Sequence, residues 1–214
     1  MRHLIIIAIF VTAVLLISGC AGQPAQTSPG AQAPSQEPVK TLGQQTQQLA
    51  PDEEYLGKTD SNLISLKQFS GKAGNIATAK YPDACLISIL GEYVSSKELG
   101  KAQIWSYKYY SKSQNKALTV AVQTKATASG VDVYAKTTDN VVVFKDEPYK
   151  KCVTLANDVD STTAGTAVSG KISNVVAISL ANDVELLRDE YEFTTITPSV
   201  KSVRVNAVTG DVLV

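Results

Sequence analysis

Gln103-Ile104-Trp105-Ser106-Tyr107-Lys108-Tyr109-Tyr110-Ser111 alternates strictly in character. Trp105, Tyr107 and Tyr109 fall on one face of an extended chain, and Ser106, Lys108 and Tyr110 on the other. A period of two is the signature of a strand with one face buried. The flanking sequence repeats the pattern. Residues 111–115 are polar and read as a turn, after which Leu118, Val120 and Val122 alternate with Thr119, Ala121 and Gln123 across 116–125. Upstream, Leu86, Ile87, Ile89 and Leu90 make an apolar run at 84–94, expected as a buried strand. Further short strands are expected at 131–135 and 141–144.

Helix signals bracket these strands. Asp60 or Ser61 can cap a helix, because a short side-chain oxygen accepts from the free N–H groups of a first turn. Leu63, Leu66, Phe69, Ala73 and Ile76 then recur every three to four residues, Gly71 and Gly74 weaken the run, and Pro82 ends it. The second half follows the same order. Asp160 or Ser161 caps a short helix running to Val168, and 174–181 is an apolar run. Residues 189–196 alternate with Tyr191 and Phe193 on one face, 201–207 alternates through Val203 and Val205, and Thr209-Gly210-Asp211 turns the chain into a last strand at 212–214. The expected fold is α+β: antiparallel β-meanders with helices packed on one face. The segment 86–90 echoes 177–181, and Tyr107-Lys108-Tyr109 echoes Tyr191-Glu192-Phe193. Such an echo implies two tandem units, at 59–155 and 156–214.

The ending Val203-Arg204-Val205-Asn206-Ala207-Val208-Thr209-Gly210-Asp211-Val212-Leu213 resembles the last strand and turn of PepSY domains, with Asn206 where an acidic residue is usual. Residues 81–86 with 102–110 resemble the helix-strand-strand core of PepSY-like extracytoplasmic proteins. Asp160-Ser161 resembles the start of their first helix. The resemblance implies a small α+β unit, cystatin-like in layout, that binds or restrains peptidases and shares no catalytic residues.

The amino end reports location. Met1-Arg2-His3 precedes an apolar run from Leu4 to Ile17, followed by Ser18-Gly19-Cys20. This is a secretory signal. Leu16-Ile17-Ser18-Gly19-Cys20 resembles the lipobox of prokaryotic lipoproteins. That resemblance implies cleavage before Cys20, palmitate-type acylation of its thiol, and anchorage in the cell membrane or an outer membrane, facing out of the cytoplasm. The apolar run is about 15 residues, short of the roughly 18 to 20 that cross a bilayer. Residues 21–50 are rich in Gln, Pro, Ser, Ala and Thr, with only Glu37 and Lys40 charged. Such a stretch cannot bury a core. The segment 20–58 therefore reads as a disordered tether of about 40 residues that spans ~35 Å on average and ~130 Å when taut.

Removing residues 1–19 removes the only histidine and the only methionine, and leaves 19 basic against 20 acidic residues. No basic excess remains to grip nucleic acid. No Ser-His-Asp or Cys-His pair and no histidine metal ligand can be assembled. Neither a cofactor nor a metal is expected, and the chain reads as non-enzymatic. Cys85 and Cys152 remain, either as a disulfide or as two buried thiols; an exported protein favours the disulfide. Ser113-Gln114-Asn115-Lys116 fits S-x-x-K, but in a turn its lysine would be solvated and charged. Asn157, Asp158, Asp160 and Thr162 suggest calcium, yet Thr163 and Ser169 stand where an EF-type loop needs glycine and glutamate, so capping is the better account. Glu190 and Glu192 share a strand face, as paired carboxylates of a glycosidase would, but alternation places them on a solvated surface. Asp52-Glu53-Glu54 reads as solvated linker. The stripe Trp105, Tyr107 and Tyr109 is either core or a surface for a peptide, sugar or apolar ligand, and the polar opposite face favours core. Three functions follow in order: binding of a protein or peptide, carriage of a lipid or small apolar molecule, and Ser113–Lys116 hydrolysis.

Overall fold

A computed structural model describes residues 50–140, 152–183, 188–196 and 199–213. The signal segment, Cys20 and the strand expected at 141–144 lie outside them. The described residues form one compact unit built on a single ten-stranded sheet. Its strands are β1 (Glu53–Thr59), β2 (Ile64–Ser65), β3 (Cys85–Val94), β4 (Lys101–Ser111), β5 (Lys116–Thr127), β6 (Gly130–Asn140), β7 (Val175–Asp183), β8 (Arg188–Thr195), β9 (Lys201–Asn206) and β10 (Val212–Leu213). The order across the sheet is β1-β6-β5-β4-β3-β7-β8-β9-β10, with β2 beside β4 and every pair antiparallel. Among the described residues there are two α-helices, α1 (Ser70–Lys80) and α2 (Ser161–Val168).

This corrects the expected class. The protein is β-rich, not an α+β fold of PepSY or cystatin type with helices packed along one face. The cause lies largely in residues 60–69. Leu63, Leu66 and Phe69 have helical spacing, but Ile64 and Ser65 pair with Ala102 and Lys101 of β4, and Leu66–Gln68 form a 3-10 turn. A segment crossing a sheet drops apolar side chains onto it at irregular intervals that mimic a helical period. Helix α1 therefore starts only at Ser70, with Phe69 at its N-cap and no side-chain cap. The halves expected as 59–155 and 156–214 meet inside one sheet, where β3 pairs with β7 from Ser88↔Ala181 to Glu92↔Ala177. Strand β1 occupies part of the stretch expected as tether: Asp52-Glu53-Glu54 leads into an edge strand on β6, not into linker.

The core lies on one side of the sheet. Trp105, Tyr107 and Tyr109 of β4 are buried there with Val120 and Val122 of β5, Ile89 of β3 and Phe193 of β8. The 3-10 turn and α1 cover them through Leu66, Phe69, Ala73 and Ala77, and the two alanines let the helix lie close. Trp105 packs flat against its neighbour strand because Gly91 faces it. A Cβ at residue 91 would stand 2.6 Å from the indole Cζ3.

Helix α2 begins as expected. The Asp160 carboxylate accepts from Ser161 N at 2.9 Å, and also from Lys67 N at 3.1 Å. The Ser161 hydroxyl accepts from Leu66 N at 3.0 Å and donates to the Gly100 carbonyl at 2.6 Å. One helix start thus ties the 3-10 turn and the β3–β4 connection together. Cys85 and Cys152 pair, with Cα atoms 5.6 Å apart. Closing a 67-residue separation contributes roughly 4 kcal/mol by chain entropy.

Candidate functional site

The seam between β3 and β7 opens at one end. Their pairing stops at Glu92↔Ala177. Beyond it, β3 continues on β4 to Val94↔Ala102, while β7 begins on β8 at Val175↔Thr195. The two strands follow different neighbours, and a groove of about 390 Å³ lies in the fork. Strand β3 lines it with Leu90, Glu92, Tyr93 and Val94, and β7 with Val175, Val176 and Ala177.

Two irregularities shape this groove. Tyr93 has φ +56° and is 69% exposed. Three described non-glycine residues have positive φ, and the other two, Asn115 and Asn174, belong to the residue type that tolerates it. An aromatic residue there costs about 1–2 kcal/mol, and its exposed ring recovers little of that by burial. Opposite it, the β7–β8 register shifts between Val175 and Ala177, and Val176 at the shift is 41% exposed. The register carries Ile196 and Val200, also exposed, to the same end of the sheet. Exposed apolar residues gathered at one end of a sheet mark an interaction site more often than scattered ones do.

The residues singled out from sequence are placed as follows. The stripe Trp105, Tyr107 and Tyr109 is core, the favoured of its two readings, and burial removes the alternative of a binding surface. Trp105 Nε1 donates to the Ile64 carbonyl at 2.8 Å, and Tyr107 donates to the Leu66 carbonyl. Burial raises the pKa of the Tyr107 and Tyr109 phenols, so both stay neutral. Ser113 sits in the β4–β5 turn, where its N–H donates to Asp83 at 2.8 Å and Ser111 donates to the same carboxylate at 2.6 Å. These two bonds, Ser111 first, hold the Asp83 carboxyl below its usual range. No hydrogen bond among the described residues joins Ser113 to Lys116, which is exposed. The turn is pinned by the Asp83 carboxylate.

Glu190 is not solvated. It is buried and receives Arg188 Nε at 2.7 Å and Arg204 Nη1 at 3.3 Å. Asp160 caps α2. Asp158 is 5% exposed, and its Oδ2 has no hydrogen-bond partner. Burial, and then the nearby Asp189, push its carboxyl up to about 6 against the opposing pull of Lys67. Lys67 donates to the Asp158 carbonyl, and Tyr191 OH donates to the Val159 carbonyl at 2.8 Å. This acidic corner anchors the approach to α2. No group of three or more His, Cys, Asp or Glu that could hold a metal occurs among the described residues.

The sequence reading missed the groove. Its one local trace is Glu92-Tyr93, two exposed residues in succession where a half-buried strand should alternate. No helix among the described residues is long and apolar enough to cross a membrane. Comparison with protein-family models, curated proteins and solved structures finds no match to this chain.

Proposed function

We propose that this chain is a lipid-anchored, non-enzymatic binding protein of the extracytoplasmic surface, and that the fork between β3 and β7 receives a peptide segment of a partner protein. One observation carries the reading: Tyr93 is held in a left-handed conformation and projected into solvent at the mouth of an apolar groove. Backbone strain of this kind persists where the surrounding structure imposes it, and it concentrates at functional sites. The fork supplies what peptide recognition uses, namely strand ends that among the described residues have no neighbour on one side, and apolar side chains beside them. The carrier reading has less behind it, because Trp105, Tyr107 and Tyr109 fill the space a carrier would keep hollow. The Cys20 tether gives the groove a wide reach from the membrane.

A random peptide library displayed on phage, selected against the full chain in detergent micelles, tests this. Enriched sequences are expected to lose binding to a Val176→Asp variant and to keep it with Val208→Asp, which alters an exposed residue outside the groove. Enrichment only of sequences indifferent to Val176→Asp would overturn the proposal.

A further inference from the structure

The charge inside the fork narrows what it takes. Leu90, Val94, Val175, Val176 and Ala177 give the groove apolar walls, and among the described residues Glu92 is its one charged side chain. Glu92 is exposed, and no hydrogen bond or ion pair engages its carboxylate among the described residues. Several acids elsewhere on the sheet are occupied, Asp139 by Lys80, Glu98 by Lys101 and Glu190 by two arginines, and what sets Glu92 apart is that its carboxylate lines an apolar groove. An apolar groove with one unengaged carboxylate complements a side chain that is itself apolar along its stem and cationic at its tip. Tyr93 adds an aromatic face at the mouth, which attracts the same cation. At about 390 Å³, the groove is near the small end of ligand sites, which run roughly 300–1,000 Å³. That suits one long side chain and its flanking backbone rather than a cofactor.

Building on the peptide-binding reading, we infer that the fork selects a lysine or arginine side chain in an extended, otherwise apolar segment of the partner. The stem packs on Leu90, Val94 and Val176, and the head meets Glu92. The basic residue supplies selectivity, and the apolar neighbours supply contact area along the rim.

The test uses the full chain in detergent micelles and three capped peptides, Val-Lys-Val, Val-norleucine-Val and Val-Glu-Val, with amide chemical-shift changes at Glu92 and Val176 as the readout. Norleucine keeps the stem and lacks the charge. The lysine peptide is expected to bind about three- to fivefold tighter than the norleucine peptide, as a half-exposed ion pair allows. That preference should vanish at about 0.5 M salt and in Glu92→Gln. Glu92→Lys should reverse the order and favour the glutamate peptide. Glu92 is exposed, so neither substitution disturbs the core. Equal binding of lysine and norleucine peptides at the groove would overturn the basic-side-chain inference and leave the peptide groove standing. Absence of shifts at Glu92 and Val176 with all three peptides would overturn both.

Discussion

Replacing Gly165 with alanine sets two rules against each other. Gly165 lies inside α2, and by helix propensity alone Gly→Ala stabilises by about 0.8–1 kcal/mol. The packing argues the other way. A Cβ on residue 165 would stand 2.3 Å from the Leu99 carbonyl oxygen, 2.4 Å from its carbon and 2.8 Å from Gly100 N. All three are backbone atoms, so no rotamer change relieves the clash. Helix and turn must part by about 1 Å, an overpacking cost of roughly 1–3 kcal/mol. The same movement pulls the Ser161 hydroxyl from the Gly100 carbonyl and from Leu66 N, two buried bonds worth about 1 kcal/mol each. After the propensity gain is subtracted, the net loss is roughly 2–4 kcal/mol, or a Tm lower by about 4–16 °C for a body of this size. Gly71→Ala in α1 is the internal control. Nothing lies within 4 Å of its Cβ, so the same chemical change should leave Tm unchanged or raise it by a degree or two. Thermal melts of the two variants beside the wild type decide the matter. A Gly165→Ala protein as stable as wild type would refute the seating of α2 on the Leu99–Gly100 turn.

Two further predictions concern the acidic corner and the anchor. Burial raises the Asp158 pKa to about 6, so the native state holds a proton there that the unfolded chain has released. Stability from this group is full below about pH 4 and is lost as pH rises through about 6. Asp158→Asn removes that dependence, so its urea midpoint should gain on the wild type between pH 4 and 7; a difference constant across that range contradicts the assignment. Metabolic labelling with a palmitate analogue should mark the wild-type chain and spare Cys20→Ser, and equal labelling of both would rule out the anchor.

Local pattern announced most strands of this protein, because one face of each is buried and the other is not. Trp105, Tyr107 and Tyr109 against Ser106, Lys108 and Tyr110 is the clearest case. Helix α2 was legible for a different reason, since Asp160 supplies a cap and the chain that follows has nothing to stop it before Ser169. Strand β1 was not legible. Its charged start resembles linker, and what makes it a strand is the β6 partner some 80 residues away, including the Tyr55–Tyr134 ring contact at 5.5 Å. The order of strands was equally hidden. Nothing in 84–94 or 174–181 says that these two runs lie side by side, and that single adjacency turns two expected units into one β-rich sheet. The groove arises where that adjacency ends, and locally only Glu92-Tyr93 hints at it.

The Cys85–Cys152 bridge bears on how the central seam is assembled. Ser88 and Ala181 are first neighbours in the sheet, yet about 93 residues of chain separate them, a costly loop to close at random. Once the thiols have joined, the shortest path between the two strands runs through sulfur and is about 30 residues long. Loop closure then costs about 1 kcal/mol less. Val153 N donates to the Leu86 carbonyl at 2.8 Å, which lays the returning chain against the start of β3, just before its pairing with β7 begins at Ser88. Oxidation of this pair would therefore act as a splint, holding the returning chain close to the end of β3 while β7 finds its place beside it.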